Sequence, residues 1–71
     1  MPSPMAREVT IGDRRFYIVS EPDGPGWRAK VLEVVDPAGA TSDMGIEVTG
    51  ETRNAADERA LGLLQHRLRQ P

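Results

Sequence analysis

Apolar and polar residues alternate in four short segments of the first fifty residues, a spacing typical of half-buried β-strands. The segments span residues 8–11, 14–20, 27–35 and 44–49. Glycine and proline, which favour turns, lie between them at Gly12, Pro22, Gly24, Pro25 and Pro37. The short connections predict strands that follow one another as hairpins, in an antiparallel meander of three or four strands.

The second and third segments each have one apolar face and one face of mixed character. The apolar face holds Phe16, Ile18, Trp27, Ala29 and Val31. The other face holds Arg15, Tyr17, Val19, Arg28 and Lys30. The alternation breaks down over residues 32–35, which predicts a β-bulge or a strand end there. Residues 36–43 have the composition of a loop.

Residues 52–70 contain no proline and follow helical spacing. At about 100° per residue, six small or aliphatic side chains fall within an arc of roughly 160°. They are Ala56, Ala60, Leu61, Leu63, Leu64 and Leu68. Either Thr52 or Asn54 can cap the helix N-terminus, because both side chains accept a hydrogen bond from a free backbone N–H. We expect the helix to lie on the apolar face of the sheet, close to Trp27.

Strands followed by one helix indicate the α+β class. The expected architecture is a β-β-β-β-α two-layer sandwich, in which a three- to four-stranded antiparallel meander packs on one C-terminal helix. A chain of 71 residues fits a single domain. We place that domain at residues 7–70 and expect a disordered N-terminus over residues 1–6, which include two prolines.

The composition limits the cellular compartments and the classes of partner that fit this chain. The chain has no cysteine, which excludes disulfides and thiolate metal sites and fits a reducing cytoplasm. Its net charge of -2 gives no general attraction to nucleic acid or anionic membranes. No apolar run approaches the roughly 20 residues of a membrane span. Arginine greatly exceeds lysine, as is typical of proteins from GC-rich bacterial genomes.

No residue pattern indicates catalysis. The only histidine, His66, lies on the predicted helix, and neither a second histidine nor a cysteine could share a metal with it. Four acids near one another in sequence, Asp36, Asp43, Glu47 and Glu51, lack calcium-loop spacing and are expected to be solvated. We therefore expect no enzyme activity, no cofactor and no small-molecule substrate.

The candidate binding residues lie on the sheet face that the helix leaves open. They are Arg15, Tyr17, Arg28, Lys30 and Leu32. An aromatic ring among cations can stack on a base while the cations meet phosphates, which would suit RNA. Alternatively, the face is solvated and Glu47 pairs with one of the basic residues. A third interpretation is a homodimer contact through Tyr17, Val19 and Leu32, because apolar residues on an open face favour burial.

Two short motifs resemble the HicB-like antitoxin domain. Gly26-Trp27-Arg28-Ala29 begins a strand, and Gly50-Glu51-Thr52-Arg53 leads into a helix that carries Ala56 and Ala60. That family has a Gly-aromatic-x-Ala strand and a Gly-Asp-Thr helix entry, and its fold is related to the double-stranded-RNA-binding domain. The resemblance implies a small antitoxin-related module with a protein partner.

The sequence as a whole predicts a small non-enzymatic protein-interaction module that binds a protein partner or itself. RNA binding through the open sheet face is the alternative, although the acidic net charge disfavours it.

Overall fold

The computed structural model describes residues 5–69, which form four strands and one helix in the predicted order. The elements are β1 (Met5–Ile11), β2 (Arg14–Asp23), β3 (Gly26–Val34), β4 (Thr41–Gly50) and α1 (Arg53–Arg69). The strands form one antiparallel sheet in the order β1-β2-β3-β4. Helix α1 packs on one face of this sheet, so the predicted α+β sandwich with a C-terminal helix is confirmed, with all four strands present.

The core lies between α1 and the apolar sheet face. Register builds that face, since Ile18 lies opposite Val31 and Ala29 lies opposite Val48. The buried apolar residues are Phe16, Ile18, Ala29, Val31, Ile46, Ala56, Ala60 and Leu64. Helix α1 contacts β2, β3 and β4 but not β1, so the sheet extends one strand beyond the helix.

The apolar arc predicted for the helix is broader than the surface that contacts the sheet. Ala56, Ala60 and Leu64 are fully buried, whereas Leu61 and Leu68 only partly reach the core. Leu63, at one margin of the arc, is 47% exposed, so the prediction that it packs on the sheet is wrong. A helix lying on a flat sheet buries the centre of its stripe and leaves the margin open to solvent.

A bulge changes the register between β3 and β4. Lys30 lies opposite Glu47, but Leu32 lies opposite Asp43, so residues 44–46 face the single residue Val31. Gly45 has a φ of 72° at this point, a conformation that a residue with a side chain adopts only with strain. The sequence predicted an irregularity at 32–35, where β3 ends at Val34, but the bulge itself lies on β4.

β1 and β4 each begin three residues earlier than predicted. β4 begins at Thr41, so residues 41–43 belong to the sheet and the loop prediction for them is wrong. The remaining turn closes when Val35 N donates to Ala40 O at 2.9 Å, and Asp36 Oδ1 accepts a bond from Ala40 N at 3.0 Å. β1 begins at Met5, so residues 5 and 6 of the predicted disordered N-terminus are in a strand. Residues 1–4 of that prediction lie outside the described residues.

The helix begins very close to the sheet. Thr52 is the N-cap, because its Oγ1 accepts a bond from Ala55 N at 3.1 Å. A Cβ on Gly50 would lie only 2.6 Å from Ala56 N, so a glycine is needed where β4 meets the helix. Within residues 5–69, α1 lacks the length and apolar character that crossing a membrane would require.

Candidate functional site

The sheet face opposite α1, here called the open face, has no second layer within the described part of the chain. Strand alternation and register bring all five candidate residues onto it. Arg15 and Tyr17 come from β2, and Arg28, Lys30 and Leu32 come from β3. The grouping that the sequence predicted is therefore present as a continuous surface across the two central strands.

An apolar strip crosses the middle of the open face. Tyr17 on β2 lies directly opposite Leu32 on β3. Val19 follows Tyr17 by two residues, and Val34 follows Leu32 by two residues, so both also lie on the open face. All four side chains are half-buried by their neighbours within the sheet. Directly opposed and diagonal side chains on adjacent strands are in contact range, so the four residues make one patch.

Ion pairs flank the apolar strip. Arg15 Nη2 lies 3.2 Å from Glu8 Oε1 on β1. Arg28 lies among three carboxylates, with its nitrogens 3.1 Å from Glu47, 3.6 Å from Asp23 and 3.9 Å from Glu21. The hydrogen bond to Glu47, helped by the charges of these acids, raises the pKa of Arg28. These pairs are solvent-exposed, so they balance charge locally and contribute little to stability.

Two of the acids noted in the sequence, Asp43 and Glu47, make local hydrogen bonds. The predicted pairing of Glu47 with a basic residue is confirmed by its bond to Arg28. Asp43 Oδ1 accepts a bond from Gly45 N at 2.8 Å and so holds the bulge. His66 is exposed on α1. Across residues 5–69, no group of three or more His, Cys, Asp or Glu side chains could hold a metal ion.

A second surface lies beside Trp27, at the end of the sheet where α1 begins. Trp27 is half-buried and packs against the core, as predicted, but it also borders an open cleft of about 640 Å³. This Trp27 cleft is defined by Asp23, Pro25, Trp27, Glu51, Ala55 and Arg59. It combines an aromatic ring and apolar side chains with two carboxylates and one guanidinium group.

The two edges of the sheet differ. At β4, Arg59 Nη1 donates to Thr49 O at 3.0 Å, and Arg67 Nη1 donates to Met44 O. Two guanidinium groups from the helix therefore occupy backbone acceptors of this strand. At the opposite edge, β1 pairs with β2 and makes no contact with α1.

Sequence reasoning did not predict that two polar residues are buried, Ser20 at 1% exposed and Asp57 at 5% exposed. Asp57 Oδ2 lies 3.9 Å from Arg53 Nε, and among residues 5–69 its Oδ1 has no hydrogen-bond partner. The helical position of Asp57 could have predicted its burial, because it falls inside the arc that carries the alanines and leucines. A carboxylate there is held at the margin of the core, next to the half-buried Arg53.

No family model matches this chain, and no curated protein or solved structure matches it either. The chain's own surfaces, the open face and the Trp27 cleft, are therefore the basis for inferring what it does.

Proposed function

We propose that this chain is a small non-enzymatic interaction module that binds a protein surface through its open face. The observation that carries the proposal is the apolar strip of Tyr17, Val19, Leu32 and Val34, which no element of residues 5–69 covers. An apolar centre with a polar margin is the usual anatomy of a protein–protein interface. The ion pairs of Arg15 and Arg28 supply that margin here.

A second copy of the chain is the partner that suits this face best. A chain of 71 residues buries only about 60% of the surface that its unfolded form exposes, so further apolar burial is favourable. Two sheets stack face to face at a spacing of about 10 Å, with their central side chains interdigitated. In a two-fold dimer each copy presents the same strip to the other, and the mixed charges at the margin can pair across the interface.

The cellular setting belongs to the same proposal. The absence of cysteine supports a cytoplasmic location, and the excess of arginine over lysine supports a bacterial one. The motifs around Gly26 and Gly50 support a relationship to HicB-like antitoxin domains, whose implied partner is a protein. We include this relationship as part of the proposal.

RNA binding through the same face is less well supported. Phosphate contact needs positive charge that is not already neutralised by the protein. Arg15 and Arg28 are paired with carboxylates, which leaves Lys30 as the candidate cation that makes no ion pair within residues 5–69. A single lysine provides little positive charge for contact with the phosphates of an RNA.

Self-association is tested by measuring molar mass against concentration, by light scattering after size exclusion. We expect wild type to move from monomer to dimer as concentration rises, and Leu32→Thr to need at least about tenfold more protein, since the loss of one buried aliphatic contact costs more than 1.4 kcal/mol. Val35→Thr is the matched control, because Val35 is 56% exposed and lies outside the strip. A wild-type monomer at every concentration, or equal shifts in both variants, would contradict self-association.

The RNA alternative is tested with the same protein. Backbone amide shifts of β2 and β3 are followed while a single-stranded or duplex oligonucleotide is added at low salt. We expect no saturable shift at Arg28 and Lys30. Shifts that saturate and disappear on adding salt would favour the RNA alternative over the protein interface.

A further inference from the structure

The Trp27 cleft is large enough for a ligand group. Its volume of about 640 Å³ falls within the roughly 300–1,000 Å³ range of small-ligand pockets. Pro25 and Ala55 provide apolar wall, and the indole of Trp27 provides an aromatic one. The cleft lies at the β2–β3 turn and the start of α1, so it is separate from the apolar strip on the open face.

Two glycines let the backbone of β3, β4 and the helix start approach closely beside the cleft. Trp27 lies opposite Gly50 on β4, so the position directly across from it has no side chain. Gly50 has no room for a Cβ, which would lie 2.6 Å from Ala56 N, and a Cβ on Gly26 would lie 2.6 Å from Gly50 O. The close approach of helix and sheet therefore requires bare backbone beside the ring.

The charges around the cleft favour a cation. Glu51 is exposed and forms no ion pair with any residue in the described range 5–69. Asp23 contributes a second carboxylate, 3.6 Å from Arg28. Arg59 is the only cation bordering the cleft among the residues described, and its Nη1 is already bonded to Thr49 O. Two carboxylates and one guanidinium therefore border the cleft, and Glu51 is the carboxylate whose charge no ion pair offsets within residues 5–69.

We propose that the Trp27 cleft binds the ammonium group of a lysine side chain on a protein partner. A cation is attracted to the face of an indole, and more strongly to Trp than to Tyr or Phe. The carboxylate of Glu51 adds charge attraction that a neutral group of the same shape does not receive. The lysine methylenes match the apolar wall, since such side chains lay their stems along apolar surface.

The probe is Nα-acetyl-lysine methylamide, and the reporter is the fluorescence of Trp27, the only tryptophan in the chain. We expect a saturable change in emission at millimolar probe, which weakens as salt is added. The Nε-acetylated form of the probe has nearly the same shape without the charge and should give no saturable change. An equal response to the two forms, or no saturable response to either, would overturn the proposal.

Two variants locate the site. Glu51→Gln should raise the dissociation constant of the lysine probe about threefold to tenfold, while Glu58→Gln, an exposed acid on α1 away from the cleft, should leave it unchanged. Equal affinity of wild type and Glu51→Gln would overturn the assignment. Leu32→Thr should respond to the probe as wild type does, so this site and the proposed open-face interface can fail independently.

Discussion

Arg14 holds Glu33 through two parallel hydrogen bonds, from Nε to Oε2 at 2.9 Å and from Nη2 to Oε1 at 2.8 Å. The guanidinium carbon lies 5.4 Å from the ring centroid of Phe16, so the pair sits over a core aromatic side chain. The hydrogen bond from Arg14, reinforced by its charge, holds the pKa of Glu33 below its ordinary value of 4.5.

This pair predicts an acid-dependent part of stability. Because the pKa of Glu33 is lower in the folded chain than in the unfolded chain, its carboxylate stabilises the fold above pH 4.5 and loses that effect as pH falls through the folded pKa. The free energy of unfolding should therefore fall less between pH 7 and pH 3 in Glu33→Gln than in wild type. Urea denaturation at both pH values measures it. Glu58→Gln is the control, and a Glu33→Gln profile parallel to wild type would contradict the role of the pair.

Adjacent leucines on α1 should differ sharply in their contribution to stability. Leu64 is fully buried, and Leu64→Ala should lower the free energy of unfolding by about 2–5 kcal/mol, because it removes apolar contact and leaves a cavity. Leu63→Ala should change it by less than about 0.5 kcal/mol, since that side chain is 47% exposed. Chemical denaturation of both variants tests the contrast. Similar losses of unfolding free energy in the two variants would mean that α1 presents a different face to the sheet.

The helix N-cap gives a second contrast. Thr52→Ala removes the acceptor of the Ala55 N–H and should cost about 0.5–2 kcal/mol, while Thr52→Ser keeps the hydroxyl and should cost much less. Asn54→Ala should be near neutral, because Asn54 lies inside the helix, where its side chain is exposed. Thermal unfolding followed by circular dichroism measures all three. A larger loss in Asn54→Ala than in Thr52→Ala would reassign the cap.

Gly62 offers a stabilising substitution. It lies exposed inside α1, and a Cβ at this position would meet no atom within 4 Å. Gly62→Ala should therefore raise the free energy of unfolding by about 0.5–1 kcal/mol, because alanine restricts the unfolded chain more than glycine does. Gly50→Ala is the opposing case and should cost about 1–3 kcal/mol, since its Cβ would overlap Ala56 N. Denaturant titration of the pair checks both signs.

The sequence predicted the fold through two strong periodicities. Alternation identified Phe16 and Ile18 as core residues, and the helical arc identified Ala60 and Leu64. The sequence could not predict where β4 begins, because residues 41–43 have a loop-like composition and join the sheet only through pairing with β3. Such pairing is a long-range effect that local pattern does not contain.

The sequence predicted which residues share the open face, but it predicted neither the three carboxylates around Arg28 nor the Trp27 cleft. Alternation alone put Tyr17 and Lys30 on the same face. The surroundings of Arg28 depend on the register of β3 against β2 and β4, which brings Glu21 and Glu47 within reach from separate strands. The cleft beside Trp27 was also hidden, because it arises from the helix approaching Gly50 rather than from any local motif.

The arginine bonds at β4 limit how this sheet could polymerise. Thr49 O and Met44 O are bonded to arginines of the helix and are not available to a foreign strand, whereas α1 makes no contact with β1 over residues 5–69. Fibril growth needs two pairing edges on each subunit, because each added copy must present a free edge to the next copy. Two copies joined through β1 would each have used that edge, so a third copy could add only at a β4 edge where the helix already engages two acceptors.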